Sequence, residues 1–427
     1  MFCKKITIFR ITAIIIATLI FVSSHTAYAS PTDLKIQEAL DNCRTKYKVP
    51  SMQVSISLPG EYTTRDFESG TTEVSGSIPI TTGNLFQIGS ITKSFVSAVI
   101  LQLEAEGKLS IDDPMGKYID FSQHPSWSSW WQNVTIKQLL NMTSGIYNYT
   151  EDQAFMDTII ADPTKLWTPF QLIDVAAQHA GYFEPGKGWH YSNTNYILAG
   201  MVIGKVTGKT VEQVMDERLL GSINLNLLNT YYNDGNYAKN IVSRTVHCYL
   251  YDGTLKDVSS PNVSWGGAAG DMLANTRDIV RWVRAIFSGQ VTKPQQLAEM
   301  KSLVCTGTGG SNCIPGYPSN LKIGGFGLGI VEFDIKPFGE TWFYEGGTLG
   351  CYFYYIWLPT YDTVISVVGN KTGTDDDYPE NLAADILTIL YVSPEWQQYR
   401  ISHNITLSDQ LINRENIMEK LKLGRQL

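Results

Sequence analysis

Histidine and cysteine are scarce in this chain, six of each among 427 residues. None of them stands at zinc-ligating spacing and no His-Glu-x-x-His occurs, so neither a metal nor any other cofactor is implied. A Gly-x-Ser-x-Gly elbow is also missing, which excludes a Ser-His-Asp hydrolase built on that turn. Charged residues make up only 17% and the balance is acidic, −8 overall. Acidity of that kind argues against nucleic-acid binding. What is present is a globular composition, 43% hydrophobic and 11% aromatic, without an internal repeat or a low-complexity segment.

The first 29 residues read as a signal peptide. Lys4, Lys5 and Arg10 give a basic start, residues 11–22 are apolar, and Ala27-Tyr28-Ala29 offers small residues where a signal peptidase cuts. The apolar run is too short to span a bilayer comfortably; the alternative is an uncleaved anchor. The expected product is secreted or periplasmic. Five cysteines then remain: Cys43, Cys248, Cys305, Cys313 and Cys351. Cys305 and Cys313 flank a Gly-rich loop and are a disulfide candidate in an oxidising compartment. The other possibility is that all five are reduced. An odd count leaves at least one thiol free.

Apolar spacing predicts helices over 31–48, 91–106, 136–140, 170–177, 196–206, 278–287 and 381–390. It predicts strands over 52–58, 327–333, 341–344, 351–358 and 363–369. Segment 91–106 is apolar on nearly all faces and stops at Gly107, as a buried helix does. Strands at both ends and helices between predict an α+β chain, with an antiparallel sheet flanked by helices and a mostly helical region inserted. The expected main domain is 30–392, with a polar extension at 393–427.

Two segments carry candidate chemistry. A serine hydroxyl needs a base within hydrogen-bond reach to act as a nucleophile. Ser90-Ile91-Thr92-Lys93 supplies one, because i and i+3 share a helix face. Burial would lower the Lys93 pKa and make it a base. A bland alternative exists: Ser90 as an ordinary cap, Lys93 as a solvated lysine. Ser319-Asn320-Leu321-Lys322 has the same spacing but follows Pro318 in a Gly/Pro-rich loop. In Tyr191-Ser192-Asn193, a phenol beside an ammonium would have a lowered pKa and shuttle a proton. The Asn193 amide would bind the substrate carbonyl and Lys93. Tyr231-Tyr232-Asn233 repeats that spacing.

Taken together, residues 86–95 and the Pro185-Gly186…Tyr191-Ser192-Asn193-Thr194-Asn195-Tyr196 run resemble the class C β-lactamase and D-alanyl-D-alanine carboxypeptidase family of serine penicillin-recognising enzymes. Residues 107–114 and the Gly-rich stretch 266–272 agree. So does Leu139-Leu140-Asn141-Met142-Thr143-Ser144-Gly145, with Met142 where the family has His. The resemblance implies a β-lactamase/transpeptidase-like fold and an acyl-enzyme on Ser90. Catalysis would use Ser90, Lys93 and Tyr191, with Asn193 binding substrate. The family's third motif carries Lys or His followed two residues later by Gly. Its best match here is Glu345-Gly346-Gly347-Thr348, with Gly347 letting the substrate approach and the Ser90 and Thr348 amides forming the oxyanion hole. Glu345 in place of a cation would repel a substrate carboxylate, unless a neighbouring cation pairs it. Expected partners are a cell-wall peptide, a β-lactam, or an ester or amide without a free carboxylate. A silent ligand-binding relative is the competing reading.

Overall fold

Strands Ser51–Ser57 (β1), Tyr352–Leu358 and Thr363–Gly369 are buried at nearly every position, on both faces of the pleat. A sheet meets that condition only when helices cover both sides. The computed structural model describes residues 29–61, 63–232, 239–260, 262–304, 325–405 and 413–423. With Arg65–Gly70 as β2, Val331–Ile335 as β3, Gly339–Gly347 as β4, Tyr352–Leu358 as β5 and Thr363–Gly369 as β6, the six strands pair antiparallel in the order β2-β1-β6-β5-β4-β3. The N-terminal strand thus lies beside the C-terminal one, Val54 opposite Val367. This is the β-lactamase/transpeptidase-like arrangement.

Helix α1 (Pro31–Tyr47) starts at a capping box between Ser30 and Asp33. The remaining principal helices are α2 (Thr92–Ala105), α3 (Asn193–Thr207), α4 (Thr276–Phe287) and α5 (Tyr378–Tyr391). Helices α1 and α5 pack together on one face of the sheet, and α4 covers β1 and β6 on the other. Helix α2 is buried from Thr92 through Leu101. Phe95 stacks on Trp282 of α4 at 3.8 Å, and Trp282 Nε1 donates to Ser94 Oγ. The mostly helical insertion lies between β2 and β3, as expected. The stretch after 393, expected as a polar appended tail, packs onto the body instead. Trp396 is fully buried, stacks on Tyr361 and donates to Thr363 Oγ1. Farther along, Arg414 pairs with Asp385 of α5. No helix among the described residues is long and apolar enough to cross a membrane.

One disulfide that the sequence did not single out is present. Cys248 is bonded to Cys351, 103 residues away, and Cys43 is free and buried. Cys305 and Cys313 lie outside the described residues.

One carboxyl pair braces α2. Glu104 accepts the Ile111 N–H at 2.8 Å and meets Glu299 of helix Pro294–Met300. Burial first, and then the hydrogen bond with Glu299, raise the Glu104 carboxyl above its ordinary 4.5. A raised carboxyl stabilises the fold while protonated, and that contribution is lost as pH rises through the folded-state value. Glu104→Gln keeps the acceptor for Ile111 and adds a donor for Glu299. The expected melting temperature is about 1–2 °C above wild type at pH 8, with the gap closing at pH 4. A variant less stable than wild type at both pH values contradicts this.

Candidate active site

A 3-10 turn, Gly89–Ile91, runs directly into α2 and places Ser90 at its head, with Lys93 one turn on. Lys93 is fully buried and its Nζ has three oxygen neighbours. They are Ser90 Oγ at 2.9 Å, Asn193 Oδ1 at 2.7 Å and the Ala269 carbonyl at 2.8 Å. Burial pulls the Lys93 amine well below its ordinary value. A neutral amine has two N–H groups and one lone pair. In that neutral form the Asn193 and Ala269 oxygens would take the N–H groups and the lone pair would face the Ser90 hydroxyl.

Tyr191 approaches from the opposite side, its hydroxyl donating to Ser90 Oγ at 2.6 Å. The phenol is not lowered as the sequence suggested. Burial drives it well above the ordinary tyrosine value, and the Glu345 charge adds a smaller push in the same direction. Tyr191 therefore stands as a proton donor.

Local hydrogen bonds fix the Tyr191–Asn193 turn. Asn193 begins α3, its N–H donates to Asn148 Oδ1 and its Nδ2 to Thr150 Oγ1 at 2.9 Å. The hydroxyls of Ser192 and Thr194 both donate to the Tyr147 carbonyl. Met142, where histidine was expected, is buried at φ +65°. Its sulfur accepts from the Ser192 N–H and from Asn195 Nδ2. Tyr149 donates to the Trp265 carbonyl at 2.7 Å, and both residues line the pocket around Ser90. Tyr147, Tyr149, Thr150 and Trp265 carry no motif and were not legible beforehand. Ala269 sits within the Gly-rich stretch already noted.

The third-motif match Glu345-Gly346-Gly347 lies at the end of β4. Side chains alternate along β4, so Tyr344 and Gly346 face α2 while Glu345 faces away. Glu345 accepts a hydrogen bond from Tyr352 of β5, whose hydroxyl oxygen also lies 3.1 Å from a Glu380 carboxyl oxygen of α5. The side chain beside Tyr191 is instead Tyr344, itself buried. Gly346 lies so close to the nucleophile turn that a Cβ on it would stand 1.9 Å from the Ile88 carbonyl. A Cβ on Gly89, at φ +49°, would stand 2.7 Å from the Gly347 carbonyl oxygen.

The expected oxyanion donor changes as well. The Thr348 N–H donates to the Cys351 carbonyl at 2.9 Å and closes the β4–β5 hairpin. Residues 348 and 351 are therefore a hydrogen-bonded pair. Gly347 and Tyr352 opposite it form the next, non-bonded pair. The Gly347 N–H thus points away from β5, toward Gly89 and Ser90. Both Gly347 and Thr348 line the pocket that contains Ser90, Asn193 and Gly270. A literal Lys-Thr-Gly at 371–373 lies behind this hairpin. Lys371 donates to the Tyr47 and Asp375 carbonyls, and Thr372 Oγ1 accepts from the Gly350 N–H. Of the two decoys, 319–322 and Asn233 fall outside the described residues. Among the described residues, no group of three or more His, Cys, Asp or Glu is placed to hold a metal.

Comparison with known proteins agrees with this geometry. The Beta-lactamase family model matches residues 36–389. Penicillin-binding protein 4* of Bacillus subtilis (strain 168) is 27% identical over 232 residues, 51% of this chain and 48% of that protein. Protein flp of Staphylococcus aureus (strain MW2) is 28% identical over 47% of this chain and 38% of its own length. The chain thus spans about half the length, or less, of these curated relatives. A D-stereospecific amidohydrolase from Streptomyces sp. is 30% identical, with TM-score 0.68, over 79% of this chain and 94% of that one. The D-amino acid amidase of Ochrobactrum anthropi SV3 complexed with L-phenylalanine amide shares the fold at TM-score 0.71 and 24% identity, over 88% of this chain and 100% of the other. With the family model covering most of its length and the serine–lysine–tyrosine constellation assembled, this chain belongs to the beta-lactamase family and has the serine penicillin-recognising fold.

Proposed function

We propose that this protein is an exported serine amidase or esterase that forms an acyl-enzyme on Ser90 and prefers substrates without a free carboxylate beside the leaving group. The observation that carries the substrate preference is Tyr344, a neutral phenol standing beside Tyr191, while the third-motif match offers Glu345 and no cation. None of the described residues lining the Ser90 pocket is a cation. The D-stereospecific amidohydrolase at 30% identity supports amides of D-amino acids as the class to try first. The leader-like segment and the Cys248–Cys351 disulfide support export.

The steps follow from the hydrogen bonds. Ser90 Oγ attacks the substrate carbonyl carbon as its proton passes to the Lys93 lone pair. The carbonyl oxygen becomes an oxyanion between the Ser90 and Gly347 N–H groups. As the carbon–nitrogen or carbon–oxygen bond breaks, Tyr191 gives its proton to the leaving group and regains one from the Lys93 ammonium. Water then attacks the acyl carbon with Lys93 and Tyr191 in the reverse roles. The same network argues against a silent binding relative, since Ser90 has both a base and an acid in contact.

The test is a matched pair: a D-alanyl-D-alanine peptide and its C-terminal amide. Wild type should show kcat/KM at least tenfold higher for the amide. Tyr344→His should move that ratio about tenfold toward the free acid, a change of ~1.4 kcal/mol in relative transition-state binding. Glu345→Gln, on the far side of the strand, should leave it within about threefold. A wild type that prefers the free acid returns the protein to the carboxypeptidase or β-lactamase type.

A further inference from the structure

The β4–β5 hairpin carries the Gly347 amide at the end of its ladder, where Gly347 pairs with Tyr352. On its outer side the hairpin meets the segment that enters the short strand Tyr249–Tyr251. Gly350, at φ +90°, runs so close to that segment that an added Cβ would stand 2.4 Å from the Tyr249 nitrogen and 2.8 Å from Cys248 Cβ. The hydrogen bonds that cross this contact are few. Tyr249 N–H donates to the Gly350 carbonyl at 3.3 Å, and Thr372 Oγ1 takes the Gly350 N–H at 2.7 Å while donating to the Thr348 carbonyl at 3.3 Å. The one covalent tie is Cys248–Cys351, with Cα atoms 5.6 Å apart and both residues buried. Cys351 is also the residue whose carbonyl closes the turn by accepting the Thr348 N–H. The disulfide therefore holds the atom pair that orients Gly347.

We infer that the Cys248–Cys351 disulfide is a positioning element for the oxyanion-binding Gly347 amide, and that its loss slows acyl transfer in a protein that remains folded. The inference rests on the acyl-enzyme reading above. An oxyanion exists only in the transition state, so a displaced Gly347 affects turnover and leaves ground-state binding alone. A displacement of about 1 Å at such a donor can cost on the order of 10²-fold.

The experiment compares wild type with the Cys248→Ala/Cys351→Ala double variant, using one neutral D-amino-acid amide. The expected result is a kcat 10- to 100-fold lower with KM within about threefold. Inhibition by a boronic acid that mimics the tetrahedral intermediate should weaken by the same factor as kcat/KM. A simple product inhibitor should bind as before. Should the double variant not fold, wild type is reduced with dithiothreitol below its melting temperature. Two released thiols are counted by mass after alkylation, and native structure is checked by near-ultraviolet circular dichroism. Reduced, native protein with unchanged kcat overturns the inference, and so does unfolding on reduction, which would make the disulfide a staple of the fold. Thr372→Val with the disulfide intact should cost less than about threefold. A larger loss there would assign the positioning to Thr372. If wild type itself takes no label at Ser90, the acyl-enzyme reading fails. If wild type is labelled and active while the disulfide-free form matches it, only the positioning role fails.

Discussion

Replacing Lys93 with methionine should leave a protein that folds and whose kcat/KM is lower by about 10⁴-fold or more. Methionine nearly fills the lysine volume, so α2 keeps its packing against Trp282 through Phe95. What disappears is the one amine that touches Ser90 Oγ among the described residues. General-base loss alone costs ~10²–10⁴-fold. The larger figure follows because Lys93 also re-protonates Tyr191, and groups that act as a unit fail together. Wild type should show a matching pH profile. Burial lowers the Lys93 amine, and its neutral form is the active one. Activity should therefore fall as pH drops through that lowered value and hold level above it, with no loss near the ordinary lysine value of 10.5. Lys93→Arg, which cannot deprotonate, should be as inactive as the methionine variant. An arginine variant within tenfold of wild type would mean that Lys93 contributes charge and not basicity.

Tyr191→Phe should lower kcat by ~10²–10⁴-fold with a small change in melting temperature. The substitution removes one hydroxyl, and that hydroxyl donates to Ser90 Oγ at 2.6 Å. The loss should depend on the leaving group. An amide nitrogen must be protonated as it departs, whereas a nitrophenolate leaves unaided. The Phe variant should therefore lose much more activity on an amide than on a p-nitrophenyl ester of the same acyl group. Burial keeps the phenol protonated well past the ordinary tyrosine value, so the wild-type amide activity should persist to high pH. Equal losses on both substrates would mean that Tyr191 orients Ser90 without donating a proton.

The nucleophile segment was legible because its signal is local. Ser90 and Lys93 lie three residues apart on one helix, and the helix is buried on all faces in both sequence and structure. Strand 51–57 was legible from its alternation of Met52, Val54 and Ile56 with polar residues, and strand 363–369 from its nearly continuous apolar run. Register was not legible. Glu345-Gly346-Gly347 matches the third motif by spacing, yet spacing alone does not say what each side chain meets on its face of the strand. Strand alternation separates Glu345, bonded to Tyr352, from Tyr344, beside Tyr191. Thr348 failed for a related reason: which amide faces the site depends on hairpin pairing, and pairing leaves no mark on composition. The disulfide was missed because proximity along the chain favoured Cys305 and Cys313. The bonded pair, Cys248 and Cys351, is brought together by two separate strands. The direction of the Tyr191 shift was misread because it depends above all on burial.

Acylation of Ser90 tests the central claim most directly. Purified protein is incubated with a fluorophosphonate, digested, and the modified residue is located by mass. The expected result is one adduct, on Ser90, formed at a rate that follows the same pH dependence as turnover and absent from Ser90→Ala. A label on another serine, or labelling of Ser90→Ala at the wild-type rate, would contradict the account.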